Sequence, residues 1–488
     1  MLVSLSSALL AVFGVVIAII IRRTLAAPSS PLKHIPAPWY AKITDDVLRF
    51  YTVTGKRMYY IHSLHRRHGP VIRISPDEVS VADPDAYVAI HRMGSGFNKA
   101  GFYQGLVGKG KPGIFTMSDP KQHAARRKLF ARAFTTSSIR TNCEALVREK
   151  VEVAVERLRA EAVYGNAADV HKWWTLMAID IVAELSFGES FDMLQLGRKN
   201  HFIQVLDAVA SASTIRYELP WLHSLLSRLP IKSTQLITNT RGEMMAYSRK
   251  AVENLRRNKG NKANLFAAML AASEADEKSD LSDDVIRGEA SNMLIAGSDP
   301  VSSSLTYLVW ALLKLPGLQR RLEDEVGSLA ADFDDSALEE LPLLDAVINE
   351  TLRLYGAVQG TFPRTTPSPG VYLGGYFIPP GTVVNTQTYT MHRLPDIFPN
   401  PLKFDETRFL PGAPTETQKL IYSPFGTGTR SCLGISLARM EMRLAVAVLF
   451  RKCRGIKLAG TMTDEMMEMV SFIVAKPSGN KCEVVLDA

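Results

Sequence analysis

The chain has 488 residues, 46% of them apolar and 22% charged. That balance excludes a disordered, collagen-like or polytopic membrane protein and supports a large core with room for an internal ligand cavity. Lysine and arginine number 57 against 49 aspartates and glutamates, a formal charge of +8; this suits an anionic membrane surface or an acidic partner, and without a dense basic run carrying interleaved aromatics it makes no case for nucleic acid.

Residues 3–21 are almost wholly apolar and are followed at once by Arg22 and Arg23. A helix of that length reaches about 28 Å, one hydrocarbon core. The arginines stay on the cytosolic side by the positive-inside rule. A cleaved signal peptide would need positive charge ahead of the apolar stretch. Residues 1–23 are therefore expected to be a single-pass anchor, with the body in the cytosol. Pro28, Pro31, Pro36 and Pro38 predict a stiff hinge over residues 24–40, leaving 41–488 as the body. Four cysteines, Cys143, Cys432, Cys453 and Cys482, have no CxxC spacing and fit a reducing compartment better than a disulfide framework.

Within the body, Val71-Ile72-Arg73-Ile74 and Val79-Ser80-Val81 flank a Ser75-Pro76-Asp77-Glu78 turn, which predicts a hairpin over 69–84. From about 120 to 350 the pattern is mostly helical. Ser118 and Asp119 are candidate caps for a helix with Pro120 in its first turn. A long apolar helix is predicted over 282–315, started by Ser282 and Asp283 and interrupted at Gly297 and Pro300. After residue 355 short β-like runs return, then a Gly-rich loop and a last helix over 435–452. The fold class is mainly α with minor β-sheets.

The segment around Cys432 carries most of the chemistry. Glycines 426, 428 and 434 let the backbone approach a flat, bulky group. Backbone N–H groups and the start of the following helix would favour a thiolate and lower its pKa. Phe425 could pack on the ligand's face and Arg430 could pair with a carboxylate. A lone cysteine is ordinarily a buried structural thiol, but the string Phe425-x-x-Gly428-x-Arg430-x-Cys432-x-Gly434 resembles the haem-ligand loop of the cytochrome P-450 superfamily, in the style of fungal microsomal secondary-metabolism members.

The resemblance extends from about residue 35 to the C-terminus. Glu350-x-x-Arg353 resembles the family's K-helix motif, and Arg408-Phe409 the end of its Pro-Glu-Arg-Phe element, with Glu406 and Thr407 standing where Pro and Glu are usual. Glu350, Arg353 and Arg408 are then expected to form a buried ion network. His123-Ala-Ala-Arg126-Arg127 resembles the C helix, with Arg127 and Arg364 implied as propionate partners and His123 beside them. The run Met391-His392-Arg393-Leu394-Pro395 and the hairpin also fit. The resemblance implies the cytochrome P-450 fold and haem b with axial Cys432. It also implies electrons from NADPH through a membrane-bound cytochrome P-450 reductase, with cytochrome b5 as a second donor, at the endoplasmic reticulum.

Ala296-Gly297-Ser298-Asp299-Pro300-Val301 resembles the oxygen-activating helix. The small pair Ala296 and Gly297 would make room for dioxygen, and Asp299 could carry protons. The usual threonine is replaced by Pro300, which also removes a backbone donor and should deepen a kink. Ser302, Ser303, a water or a substrate hydroxyl could stand in, preserving monooxygenation. Altered proton delivery would instead favour desaturation, radical coupling or rearrangement. By position in the fold, Phe97, Asn98, Phe102, Tyr103, Ala296, Val358, Thr361 and Met467 are pocket candidates for a hydrophobic terpenoid, polyketide or alkaloid intermediate. Arg126, Lys128, Arg439, Arg443, Arg451 and Lys452 could form a basic face for an acidic reductase. A non-catalytic haem protein is the alternative from another class, and it would leave the ion network and the acid-bearing helix unexplained.

Overall fold

A computed structural model describes residues 21–107, 111–164, 167–198, 201–229, 231–257 and 281–487, with Gly14, Ile17, Ala18, Leu265, Phe266, Met269 and Ala271. The expected anchor over 1–23 lies almost entirely outside the described residues. Among these, no single helix is long and apolar enough to cross a membrane.

Five helices, Thr136–Tyr164, Val170–Phe187, Asp283–Leu313, Pro342–Tyr355 and Ile435–Lys452, contribute much of the main core. Val170–Phe187 is apolar on nearly every face and is buried accordingly. Asp169 caps its start by accepting from the His171 N–H, and Gly188, at φ 76°, closes its end. Its long neighbour Asp283–Leu313 packs along it as the central helix.

The predicted hairpin forms: Val71–Ser75 pairs antiparallel with Glu78–Val81, with an irregularity between Arg73 and Ser75. It opens a five-stranded sheet that continues through Val383–Asn385, Arg364–Thr365 and Asn98–Lys99. Three smaller sheets complete the β-content among the described residues. The class expected from the sequence, mainly α with minor sheets, is the one observed.

Three local expectations change. Ser118 is not a cap; Asp119 alone accepts from Gln122 N–H at the start of helix Pro120–Ala131. The central helix is not interrupted at Gly297 or Pro300 and runs as one element with Pro300 inside. The proline-rich segment is docked on the body: Leu32 and Ile35 are buried against Val71, Val79 and Ile378, and Pro36 O accepts from Arg73 N–H at 2.9 Å.

Candidate active site

A cavity of about 840 Å³ lies between the central helix, the Cys432 loop and the five-stranded sheet. Cys432 is the one cysteine of the four that lines it; Cys143, Cys453 and Cys482 are buried elsewhere. The loop holds Cys432 by its N–H donating to Phe425 O at 2.8 Å. Gly428 has φ +66°, and a Cβ there would stand 2.5 Å from His91 O, so only glycine fits. A Cβ on Gly434 would meet nothing nearer than Phe134 at 3.9 Å, which leaves the cavity wall beside Cys432 bare for a flat ligand. Phe425 lines the cavity too, with the Arg439 guanidinium 5.7 Å from its ring centre. The thiol pKa departs from expectation. Burial pushes it up, against the opposing pull of the Gly434 N–H and Arg127; a bound metal ion would remove that proton.

The same cavity is lined by a cluster of basic groups, Lys99, His123, Arg127, Arg364 and Arg430. None forms an ion pair with a carboxylate among the described residues. Arg430 donates to Met117 O and Ser118 O, and Arg127 to Ser431 O. Arg364 reaches Pro363 O and the Tyr103 hydroxyl. Lys99 and Arg364 are directly opposite in the sheet, a like-charge pairing that costs stability without an anion between them. Burial, then Arg364 and Arg430, pulls the Lys99 ammonium down to about 7. Burial, then Arg430, Lys99 and Arg127, pulls His123 down to about 4. Uncompensated positive charge beside a thiol and a bare glycine wall suits a planar ligand carrying carboxylates. Lys99 was not anticipated, although a lone lysine between Phe97 and Phe102 was a visible signal.

The central helix presents Ala296, Gly297, Pro300, Val301 and Ser304 to the cavity. Asp299, Ser302 and Ser303 do not line it, contrary to expectation, and the Ser302 hydroxyl donates to Asp299 O. Ser304, one turn beyond Pro300 on the same face, lines the cavity, as does Ser291 further back on the helix. Gly297 also differs in its reason: a Cβ there would meet Val182 Cγ2 at 2.5 Å, so its smallness is demanded by helix packing.

Of the pocket candidates, Phe102, Tyr103, Ala296, Val358 and Thr361 line the cavity. Phe97 instead packs against the hairpin core, Asn98 is exposed and pairs with Thr365, and Met467 belongs to the main core. Phe472, Ile473 and Val474, at the tip of the hairpin Met469–Ser471 and Ala475–Pro477, enter the lining unforeseen. An apolar turn tip was their sequence signal.

The ion network forms as expected. Glu350 holds Arg353 at 2.7 and 2.8 Å and lies 3.6 Å from Arg408. Arg353 also donates to His392 O and Pro401 O, tying helix Pro342–Tyr355 to the chain that leads into the Cys432 loop. The expected basic docking face is largely spent internally. Arg126 is buried on Glu289 at 2.6 Å and Arg443 on Asp335 at 2.7 Å. Arg439 reaches Asn349, Arg451 Ala330 O, and Lys452 Glu152 and Glu156. Lys128 alone of the six is exposed.

Comparison with known proteins gives the same answer as the cavity. The cytochrome P-450 family model matches residues 47–484. The cytochrome P-450 monooxygenase stcB of Emericella nidulans is 43% identical over 466 residues, covering 94% of this chain and 89% of its own. The cytochrome P-450 monooxygenase aflV of Aspergillus parasiticus is 41% identical over 481 residues, covering 96% and 94%. Methylphloroacetophenone oxidase of Cladonia uncialis is 33% identical over 395 residues, covering 78% and 86%. The thiol, the basic cluster and the Glu350–Arg353–Arg408 network thus sit in a chain that belongs to the cytochrome P-450 family.

Proposed function

We propose that this haem-thiolate monooxygenase oxidises a hydrophobic aromatic intermediate of fungal secondary metabolism, one that carries phenolic hydroxyl and ketone groups. The carrying observation is the cavity itself, lined by Cys432, by five basic groups that pair with no carboxylate among the described residues, and by apolar Phe102, Ala296, Val358 and Phe472. The name of the Cladonia uncialis relative describes a hydroxylated aryl ketone, and that chemistry fits an apolar pocket with a few hydroxyls such as Ser304 and Thr361.

Bound haem supplies dioxygen binding and activation, favoured by thiolate donation. The chain's residues do the rest. Cys432 provides the thiolate, and Gly434 N–H and Arg127 hold its charge. Lys99, Arg127, Arg364 and Arg430 would pair with the propionates, with His123 beside them. Ala296 and Val301, which line the cavity, would narrow the substrate space and exclude bulk water. Electrons come from NADPH by way of a reductase, docked near Lys128 on the Cys432 side. Residues 1–23 anchor the protein in the endoplasmic reticulum membrane with the body in the cytosol, a placement supported by the apolar run and by Arg22 and Arg23.

Metabolite mass spectrometry with and without this gene tests the reading. A precursor one oxygen lighter than the missing product is expected. Pro300, which stands in the cavity wall where a hydroxyl is usual, favours the second reading of desaturation, coupling or rearrangement. A precursor of equal mass, or two hydrogens heavier, would establish that second reading and overturn the first. In the Cys432→Ser variant the thiolate-type carbon monoxide band is expected to vanish; its persistence would reject Cys432 as the ligand.

A further inference from the structure

Helix His201–Glu218 turns Val209, Ser213, Arg216 and Tyr217 to the cavity, at the three- and four-residue spacing of one helical face. Arg216 is half-buried. One of its Nη groups donates to Leu106 O at 2.5 Å, while its Nε is buried without a hydrogen-bond partner. It pairs with no carboxylate among the described residues. The neighbouring acid, Glu218, lies instead 3.6 Å from Arg49 and is influenced by Arg57. The charge acting on Arg216 is that of another cation: burial first, and then Arg241 of helix Lys232–Arg257, pulls its guanidinium below the ordinary value. Arg241 lines the cavity too. The bond to Leu106 O closes the end of helix Gly101–Val107, which gives one N–H a structural use. It leaves unexplained a cavity-lining guanidinium with an unsatisfied Nε beside a second arginine, an arrangement that costs stability until an acceptor with negative charge enters.

The second observation is the wall beside Arg216. The Phe102 and Tyr217 rings meet edge to face, with their centres 5.3 Å apart. Gly105 admits this approach, since a Cβ there would run into the Tyr217 ring. Phe102, Leu106 and Tyr217 all line the cavity. Leu106 and Arg241, the groups that act on Arg216, belong neither to the Cys432 loop nor to the cluster of Lys99, His123, Arg127, Arg364 and Arg430. One cation on an aromatic wall suits a planar ring that carries an anionic oxygen at its edge.

We propose that Arg216 anchors the substrate through an ionised phenolic oxygen, with the aromatic ring against Phe102 and Tyr217, at a subsite separate from the basic cluster assigned to the propionates. The proposal rests on the aryl ketone reading above. A ketone conjugated with the ring spreads the phenolate charge and brings the phenol below the ~10 of an ordinary phenol, and a guanidinium lowers it further. When the neutral phenol binds, its O–H bond breaks, one proton passes to the buffer, and N–H groups of Arg216 donate to the resulting oxygen anion. Arg216 thereby selects the substrate and sets its orientation, and takes no part in the oxidation itself. His223, the other titratable group beside Arg216, is held below its ordinary value by burial and then by Arg216. Its protonation on acidification would favour an anion, opposite in sign to the pH dependence expected of the phenol.

The experiment uses the full-length holoenzyme and two probes, para-hydroxybenzophenone and its methyl ether, each titrated by the spectral shift it induces. Below the phenol's own pKa, wild-type affinity for the phenol is expected to rise with pH by up to about tenfold per unit, while affinity for the ether stays level. Arg216→Met is expected to weaken the phenol by about tenfold or more, to change the ether by less than about twofold, and to flatten the pH dependence. Arg216→Lys, which keeps the charge, should retain most of the preference for the phenol, and the carbon monoxide band should be unchanged in both variants. Phenol affinity that does not rise with pH in the wild type overturns the anchor. So does an equal loss of both probes in Arg216→Met, the result expected if Arg216 only closes the helix at Leu106. If Arg216→Met does not take up haem, the wild-type pH dependence and Arg216→Lys decide. Absence of a shift with either probe would reject the aryl ketone reading and the anchor with it; both probes binding alike would reject the anchor alone.

Discussion

Lys99 and Arg364 face each other across two antiparallel strands with no acid between them. Their cost would be recovered when an anion binds, as a propionate would at the proposed haem site. In the haem-free chain the Lys99 ammonium is already depressed to about 7, by burial first and then by Arg364 and Arg430. An anion raises that value, so haem binding takes up a proton, and affinity must fall as pH rises above the haem-free value. Haem affinity of the stripped protein is expected to weaken from about pH 7 to about pH 9, by up to about tenfold per pH unit. In Lys99→Met that dependence should flatten, with haem lost about tenfold faster at neutral pH. Titration of stripped protein with haem at several pH values checks both, and equal slopes for the two proteins would refute the role. The residue scale is also where sequence reading was most uneven. Cys432, Arg430, Arg127, Arg364 and the Glu350 network were legible because each has a distinctive neighbour at fixed spacing. Asp299 and Ser302 do not line the cavity, because helical spacing gives a face only once the cavity side of the helix is known; Phe97 and Met467 pack into the cores instead.

The central helix shows how an element overrides a local rule. Pro300 removes one hydrogen bond and crowds the preceding turn, at a cost of about 3 kcal/mol in an isolated helix. Yet Asp283–Leu313 continues through it, because Leu305, Tyr307, Leu308 and Leu312 are wholly buried on the far side and the helix is clamped along Val170–Phe187. That clamp depends on Gly297, where a Cβ would come within 2.5 Å of Val182. Gly297→Ala is therefore expected to destabilise by about 1–3 kcal/mol. Adding Val182→Ala should recover part of the loss, giving a coupling energy on the order of 1 kcal/mol. Denaturant melts of the two single variants and the double variant measure it; strict additivity would show that Gly297 is small for another reason. The sequence revealed these helices well, through their apolar periodicity and caps such as Asp119 and Asp169. It could not reveal which helix Gly297 would touch, since that contact joins residues more than a hundred positions apart.

At the scale of the whole molecule, the question is where the folded body begins. Proline content alone suggested a stiff hinge over residues 24–40. Prolines limit the backbone, however, without saying what the residues between them touch. Leu32 and Ile35 are 3% and 2% exposed and complete the small core behind the hairpin, and Pro36 O bonds to Arg73 N–H. Burying two such side chains contributes about 1.5–3 kcal/mol each. Two truncations separate anchor from body. Deleting residues 1–30 is expected to leave the thermal midpoint and the carbon monoxide band unchanged while releasing the protein from the membrane fraction. Deleting residues 1–36 removes Leu32, Ile35 and the Pro36 carbonyl, and should lower the midpoint by several degrees. Retention of the shorter truncation in the membrane pellet would count against anchoring by residues 1–23. Equal midpoints for the two truncations would mean that Leu32 and Ile35 rest on the hairpin without supporting it, and would move the start of the body to about residue 40.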